Sequence, residues 1–271
     1  MLGKLLKQDM KTMSRFACPM FIASAAVAIV CCTMLYFTFS FAEEADTLWG
    51  AMIVVGSFYV MGLIAIIIMA AIVSVMTAVR YYKSLFTDEG YLNMVLPVKT
   101  STMFNAKILT TVIWSTLASA VAVVCCVISF IVPTLLYDKE ILDSFFVDID
   151  FFLTLITGNE TMSAILSVLG TINTITGVVE GVLIIITAIT VGSVVMKKNR
   201  VLGSILFYFI ITFIQENVIS IFQLIVTLAM GSLGEGGAIA SSIFNLVVNI
   251  GVTVGMYFIS YFILNKKFNI E

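Results

Sequence analysis

Leu48-Trp-Gly-Ala-Met-Ile-Val-Val-Gly-Ser-Phe-Tyr-Val-Met-Gly-Leu-Ile-Ala-Ile-Ile-Ile-Met-Ala-Ala-Ile-Val-Ser-Val-Met-Thr-Ala-Val79 carries no charge over 32 residues, and Arg80 ends it. A helix crossing the hydrocarbon core of a bilayer needs about 20 apolar residues at about 1.5 Å each. A transmembrane barrel strand would instead show about ten residues of alternating polarity, and this run does not alternate. In lipid the backbone must satisfy its own hydrogen bonds, which leaves the helix. Five further runs read the same way, at 16–42, 108–136, 173–196, 201–230 and 238–264. The expected fold is an all-α polytopic membrane protein with six transmembrane helices.

Composition agrees. Of 271 residues, 61 % are apolar and 11 % charged, and the mean hydropathy is +1.14. An average soluble domain has about 45–50 % apolar and about 25 % charged residues, so a water-soluble globule is excluded. Fourteen basic against 16 acidic residues give no signal for a nucleic-acid partner. The first apolar run is too long for the apolar region of a cleaved signal peptide.

The few charges are sorted along the chain. With the N-terminus inside, Lys4, Lys7, Lys11, Arg15, Arg80, Lys83, Lys99, Lys107, Lys197, Lys198, Arg200, Lys266 and Lys267 fall on the inner side, and only Lys139 lies outside. This asymmetry predicts a multi-pass membrane protein with both termini cytoplasmic. Acids such as Glu43, Glu44, Asp138, Asp148 and Asp150 gather outside.

Two segments look amphipathic. Over residues 1–15, Leu2, Leu5, Leu6, Met10 and Met13 share one helical face, and Lys4, Lys7, Gln8, Lys11 and Arg15 share the other. This predicts an interfacial helix on anionic lipid. Asp9, among the apolar positions, is its one misfit. In the outer loop, 137–172, the stripe Leu142, Phe145, Phe146, Ile149, Phe152 and Ile156 predicts a second interfacial helix.

Much chemistry is absent. The chain has no histidine, which removes His-based nucleophile activation and HExxH zinc sites. Cys31-Cys32 and Cys125-Cys126 are adjacent pairs inside apolar helices, where neighbours point about 100° apart and chelate poorly. They read as small core hydrophobes. No GxxxxGK[ST] phosphate loop occurs. No catalytic, metal or cofactor site is expected, the chain is not expected to be an enzyme, and a nucleotide-driven activity would draw on another subunit.

The longest inner loop, 80–107, is the most structured. Helix 2 is expected to continue through Leu85, Thr87 or Asp88 can cap a short new helix, and Glu89 lies in its first turn. Gly90 supplies a bend and Leu96-Pro97 a stop. Tyr91, Leu92, Met94, Val95 and Leu96 are apolar residues that a simple linker would not need. The run Phe86-Thr-Asp-Glu-Gly-Tyr-Leu92, with Leu96-Pro-Val-Lys99 and the Val191-Gly-Ser…Lys-Lys-Asn-Arg-Val-Leu-Gly-Ser204 turn, resembles the permease subunits of ABC-2 type transporters of Gram-positive bacteria. The resemblance covers the whole chain in outline. It implies that this loop carries a cytoplasmic coupling helix, with Thr87, Asp88, Glu89, Gly90, Tyr91, Leu92 and Leu96 meeting a separate ABC ATPase subunit. ATP and Mg would bind in that partner, and a second permease copy or paralogue would complete the transporter. The alternative from the residues alone is a lipid-facing elbow in an ATPase-independent protein, either a small secondary carrier or an immunity or scaffold protein.

Two ionisable residues fall within the spans. Glu180 lies 16 residues before Met196 and Glu216 lies 15 after Val201, so both sit about 23 Å from the inner ends of their helices. Gln215 and Asn217 flank Glu216. The four form a candidate intramembrane polar patch, either lining a path for substrate or protons or locking two helices together. Gly177-x-x-x-Gly181 and Gly251-x-x-x-Gly255 offer close helix packing. The length of the run 161–196 predicts a break near Gly170 or Gly177.

Overall fold

Long apolar segments that close their own backbone hydrogen bonds give long helices. In the computed structural model, described over residues 2–43, 45–87, 100–137, 160–196, 198–230 and 235–268, every regular element is helical. These are α1 (Leu2–Glu43), α2 (Ala45–Phe86), α3 (Thr100–Tyr137), α4 (Glu160–Val195), α5 (Arg200–Met230) and α6 (Glu235–Phe268). Each contains a stretch long and apolar enough to cross a membrane. Many of their hydroxyls are satisfied locally by the carbonyl one turn back: Thr33 Oγ1 donates to the Val30 carbonyl at 2.8 Å and Ser57 Oγ to that of Val54 at 2.7 Å. Large apolar side chains such as Ile22, Phe213 and Phe262 face outward, as a lipid-immersed bundle needs.

Three helix boundaries differ from the sequence reading. The basic segment 1–15 is not a separate helix, because α1 passes through it and through Pro19 without interruption. Helix α4 begins at Glu160, inside the stretch read as outer loop, and runs unbroken through Gly170 and Gly177. A single helical glycine costs only about 1 kcal/mol relative to alanine, and no proline interrupts α4. The Thr174 hydroxyl also donates to the Gly170 carbonyl at 2.9 Å. The continuation of α2 through Leu85 is borne out, its last turn ending at Phe86. The expected coupling segment beyond Thr87 and the outer stripe at 142–156 lie outside the described residues.

The chain divides into two compact units. One comprises Met1–Met10, Thr77–Ile113 and Leu153–Glu271. Here α4 is the central helix, packed along both α5 and α6, while α5 and α6 touch each other lightly. Burial is concentrated in the second half of α4, from Glu180 to Ser193, whereas α5 is buried, among its described residues, only at its start, at Gly203 and Ser204. The α4–α5 elbow is tight at Gly192 and Gly203. A Cβ on Gly192 would lie 2.4 Å from the Ser204 nitrogen, and one on Gly203 would lie 2.7 Å from the Gly192 oxygen. Only glycine allows such backbone contact. By contrast, a methyl group added at Gly177, Gly181, Gly251 or Gly255 would find nothing within 4 Å. Those two motifs therefore do not make the close helix contacts their spacing suggested.

The other unit comprises Lys11–Met76 and Trp114–Phe152. Its core is Ala28, Cys31, Ile66 and Cys125, flanked by Val27, Tyr59 and Val121. Cys31 is 1 % exposed, and its sulfur occupies the space a side chain on Gly62 would take, 2.2 Å from the Cβ position. Cys31 and Cys125 therefore serve as small apolar packing groups, as read, whereas Cys18 is exposed and Cys32 and Cys126 are half-buried. Phe21 and Trp114 add a ring contact at 6.2 Å.

Candidate functional site

The polar groups of the first unit gather at two places. The first is a seam along α4. Asn173, Glu180 and Thr187 recur every seven residues, the spacing that keeps side chains on one packing face. Asn173 Nδ2 donates to the Ser242 carbonyl of α6 at 3.4 Å. Glu180 accepts from Gln215 Nε2 of α5. The Thr187 hydroxyl lies 2.9 Å from Ser260 Oγ of α6 and donates to the Leu183 carbonyl at 2.7 Å. Gln223 Nε2 of α5 also donates to Asn245 Oδ1 of α6, at 3.1 Å.

Of the predicted patch, Glu180 and Gln215 are thus joined directly. Glu180 is 5 % exposed. Glu216 is exposed, yet close enough to interact electrostatically with Glu180. Asn217 is not part of the cluster, since its amide donates to the Phe213 carbonyl of its own helix at 2.6 Å. Two neighbouring oxygens, Thr212 Oγ1 and Gln215 Oε1, are buried without a hydrogen-bond partner among the described residues. The sequence reading missed Asn173 and Thr187, although the seven-residue recurrence was there to be seen.

The second place is the base from which the 88–99 segment leaves α2 and returns to α3. Tyr81, Leu85 and Phe86 of α2 are buried with Met103, Phe104 and Ile108 of α3. Leu183, Ile186 and Ile189 of α4 and Leu264 of α6 complete this core. Polar contacts tie the same ends. The Tyr81 and Thr190 hydroxyls lie 3.1 Å apart, and Tyr257 donates to Asn105 Oδ1 at 2.8 Å. Arg200, the first residue of α5, donates from Nη1 to the Phe86 carbonyl at 2.7 Å, where a cation suits the negative end of α2. The Thr87 hydroxyl donates back to the Lys83 carbonyl, closing the last turn of α2; the backbone N–H groups that it could cap lie outside the described residues. Asp88, Glu89, Gly90, Tyr91, Leu92 and Leu96 lie outside the described residues.

Asp9, the misfit of the amphipathic pattern, finds its reason at this base. Lys107 Nζ donates to its Oδ1 at 2.8 Å and stands 2.7 Å from its Oδ2, and the Arg80 guanidinium lies 3.5 Å away. The aspartate side chain is only 8 % exposed. One buried acid therefore joins α1, α2 and α3, a tie the sequence could not show because its partners are 71 and 98 positions distant. Compared with family models, with curated proteins and with solved structures, the chain finds no match.

Proposed function

We propose that the chain is the transmembrane permease subunit of an ATP-driven ABC-2 type exporter. In this reading it lies in a bacterial plasma membrane with both termini and the 80–107 loop in the cytoplasm. A separate ABC ATPase subunit binds ATP and Mg, and a second copy of the chain or a paralogue forms the other half. The chain itself performs no catalysis. The cargo is apolar or amphipathic, in keeping with the 21 phenylalanines and 15 methionines.

The observation that carries this reading is the run Phe86–Leu92 followed by Leu96-Pro97-Val98-Lys99, leaving and rejoining helices whose ends are held by one apolar core. Force applied to a loop moves a bundle only when the loop's ends are firmly built in. The burial of Tyr81, Leu85, Phe86, Met103 and Phe104, the Arg200 contact and the Asp9 tie supply that firmness. The residues assigned to ATPase contact are Thr87, Asp88, Glu89, Gly90, Tyr91, Leu92 and Leu96.

The test is association. Tagged chain purified from its native membranes in mild detergent should carry with it a nucleotide-binding chain. Asp88→Ala, Glu89→Ala and Gly90→Pro should each weaken that association while leaving the permease monodisperse. Absence of any ATPase, or association indifferent to all three changes, would overturn the proposal.

A further inference from the structure

We propose that Glu180 is held as the neutral acid and closes a two-bond ring with the side-chain amide of Gln215, making a proton-dependent link between α4 and α5. Glu180 is almost fully buried within an apolar span. Gln215 Nε2 already donates to its Oε1. The same amide's oxygen, Gln215 Oε1, is buried with no donor among the described residues. An ionised carboxylate only accepts, whereas a protonated carboxyl has one O–H to donate. With the proton on Glu180 Oε2, that O–H donates to Gln215 Oε1 while the amide N–H donates to Glu180 Oε1. The unmet requirement of Gln215 Oε1 is then closed.

The charged surroundings point the same way. On α5 the ionisable residue next to Gln215 is Glu216, a second acid. On α6, the stretch between Ser242 and Ser260 brackets the level of Glu180 and contains one titratable residue, Tyr257. Its hydroxyl is committed to Asn105. The cations of α5 and α6, Arg200, Lys266 and Lys267, stand near the helix ends. Helices α2 and α3 also pack on α4; of their cations, Lys83 lies in the last turn of α2, and Arg80 and Lys107 are engaged by Asp9. An ionised carboxylate at this depth without a cation is costly. Loss of the proton would replace two hydrogen bonds by one and set two carboxylates on adjacent helices, so α4 and α5 are firmly joined only while the proton stays.

The experiment is infrared difference spectroscopy of the purified chain in lipid at neutral pH. Glu180→Gln should abolish a protonated-acid carbonyl band. Gln215→Leu should keep that band but move it to higher frequency, because its hydrogen bond is gone. Glu216→Gln should leave it in place. Glu180→Gln retains donors and acceptors for an amide–amide ring, so it should stay folded and monodisperse. In linkage terms the folded state holds the extra proton, so stability falls as pH rises through the titration of Glu180. The melting temperature of the native chain should drop over that range and that of Glu180→Gln should not. Absence of an acid band assignable to Glu180 in folded protein would overturn the proposal. So would a melting temperature that follows sodium concentration rather than pH, which would mean a bound cation. Neither readout requires an ATPase, so this inference and the exporter reading fail separately.

Discussion

At the scale of single residues, two kinds of glycine separate cleanly. Gly192 and Gly203 sit backbone to backbone, and a methyl on Gly192 would meet main-chain atoms at 2.4–2.6 Å. Gly192→Ala should cost about 1–3 kcal/mol, the range for overpacking, read as a lower melting temperature in detergent. Gly177→Ala and Gly251→Ala meet nothing and should be neutral or stabilising by about 0.5–1 kcal/mol through helix propensity. Asp9 is the other telling residue. Asp9→Ala leaves Lys107, whose side chain is 13 % exposed, without its counter-charge, which should cost about 3–5 kcal/mol. The double variant Asp9→Leu with Lys107→Met should recover most of that loss, and a double-mutant thermal-stability cycle measures the coupling. None of this was readable in sequence, where Asp9 merely broke a pattern and the spacing pointed to Gly177, Gly181, Gly251 and Gly255 as the close-packing glycines.

At the scale of elements, α4 organises its unit because its polar residues recur at the period of helix packing. Thr187→Val keeps the shape and removes the hydroxyl shared with Ser260, so it should destabilise by about 1 kcal/mol. Ser260→Ala should have a similar effect, and the two together less than their sum, as expected of one hydrogen bond. The end of α2 depends on a different helix. Arg200→Ala removes the donor to the Phe86 carbonyl and should increase amide exchange in the last turn of α2 while leaving the middle of α4 unchanged. Helix existence was plain from apolar run length. Helix ends were not: the sequence marked a start at 173 where α4 begins at Glu160, because polar residues at the end of a run dilute the apolar signal without breaking the backbone hydrogen bonds.

At the scale of the whole molecule, the sorting of lysine and arginine predicts that reporters fused at residue 1, at residue 271 or in the 88–99 segment report a cytoplasmic location. A reporter inserted at 138–159 should report the outside. The opposite pattern would overturn the orientation and, with it, the site of ATPase contact. Six membrane-length helices and the asymmetry of charge between their ends follow from residue order alone. Hydrophobic length and charge count are sums over neighbouring residues and need no partner. Residue order also put Glu180 and Gln215 at one depth, since rise per residue is fixed in a helix. Which faces meet was settled only by the packed chain: Asp9 is gripped by Lys107 and Arg80, and Arg200 holds the end of α2. Likewise Gly192 and Gly203, rather than the other glycine pairs, touch, and Asn217 turns away to its own helix. These contacts depend on the rotation of each helix about its axis and on residues far apart in the chain, quantities that no local window of sequence contains.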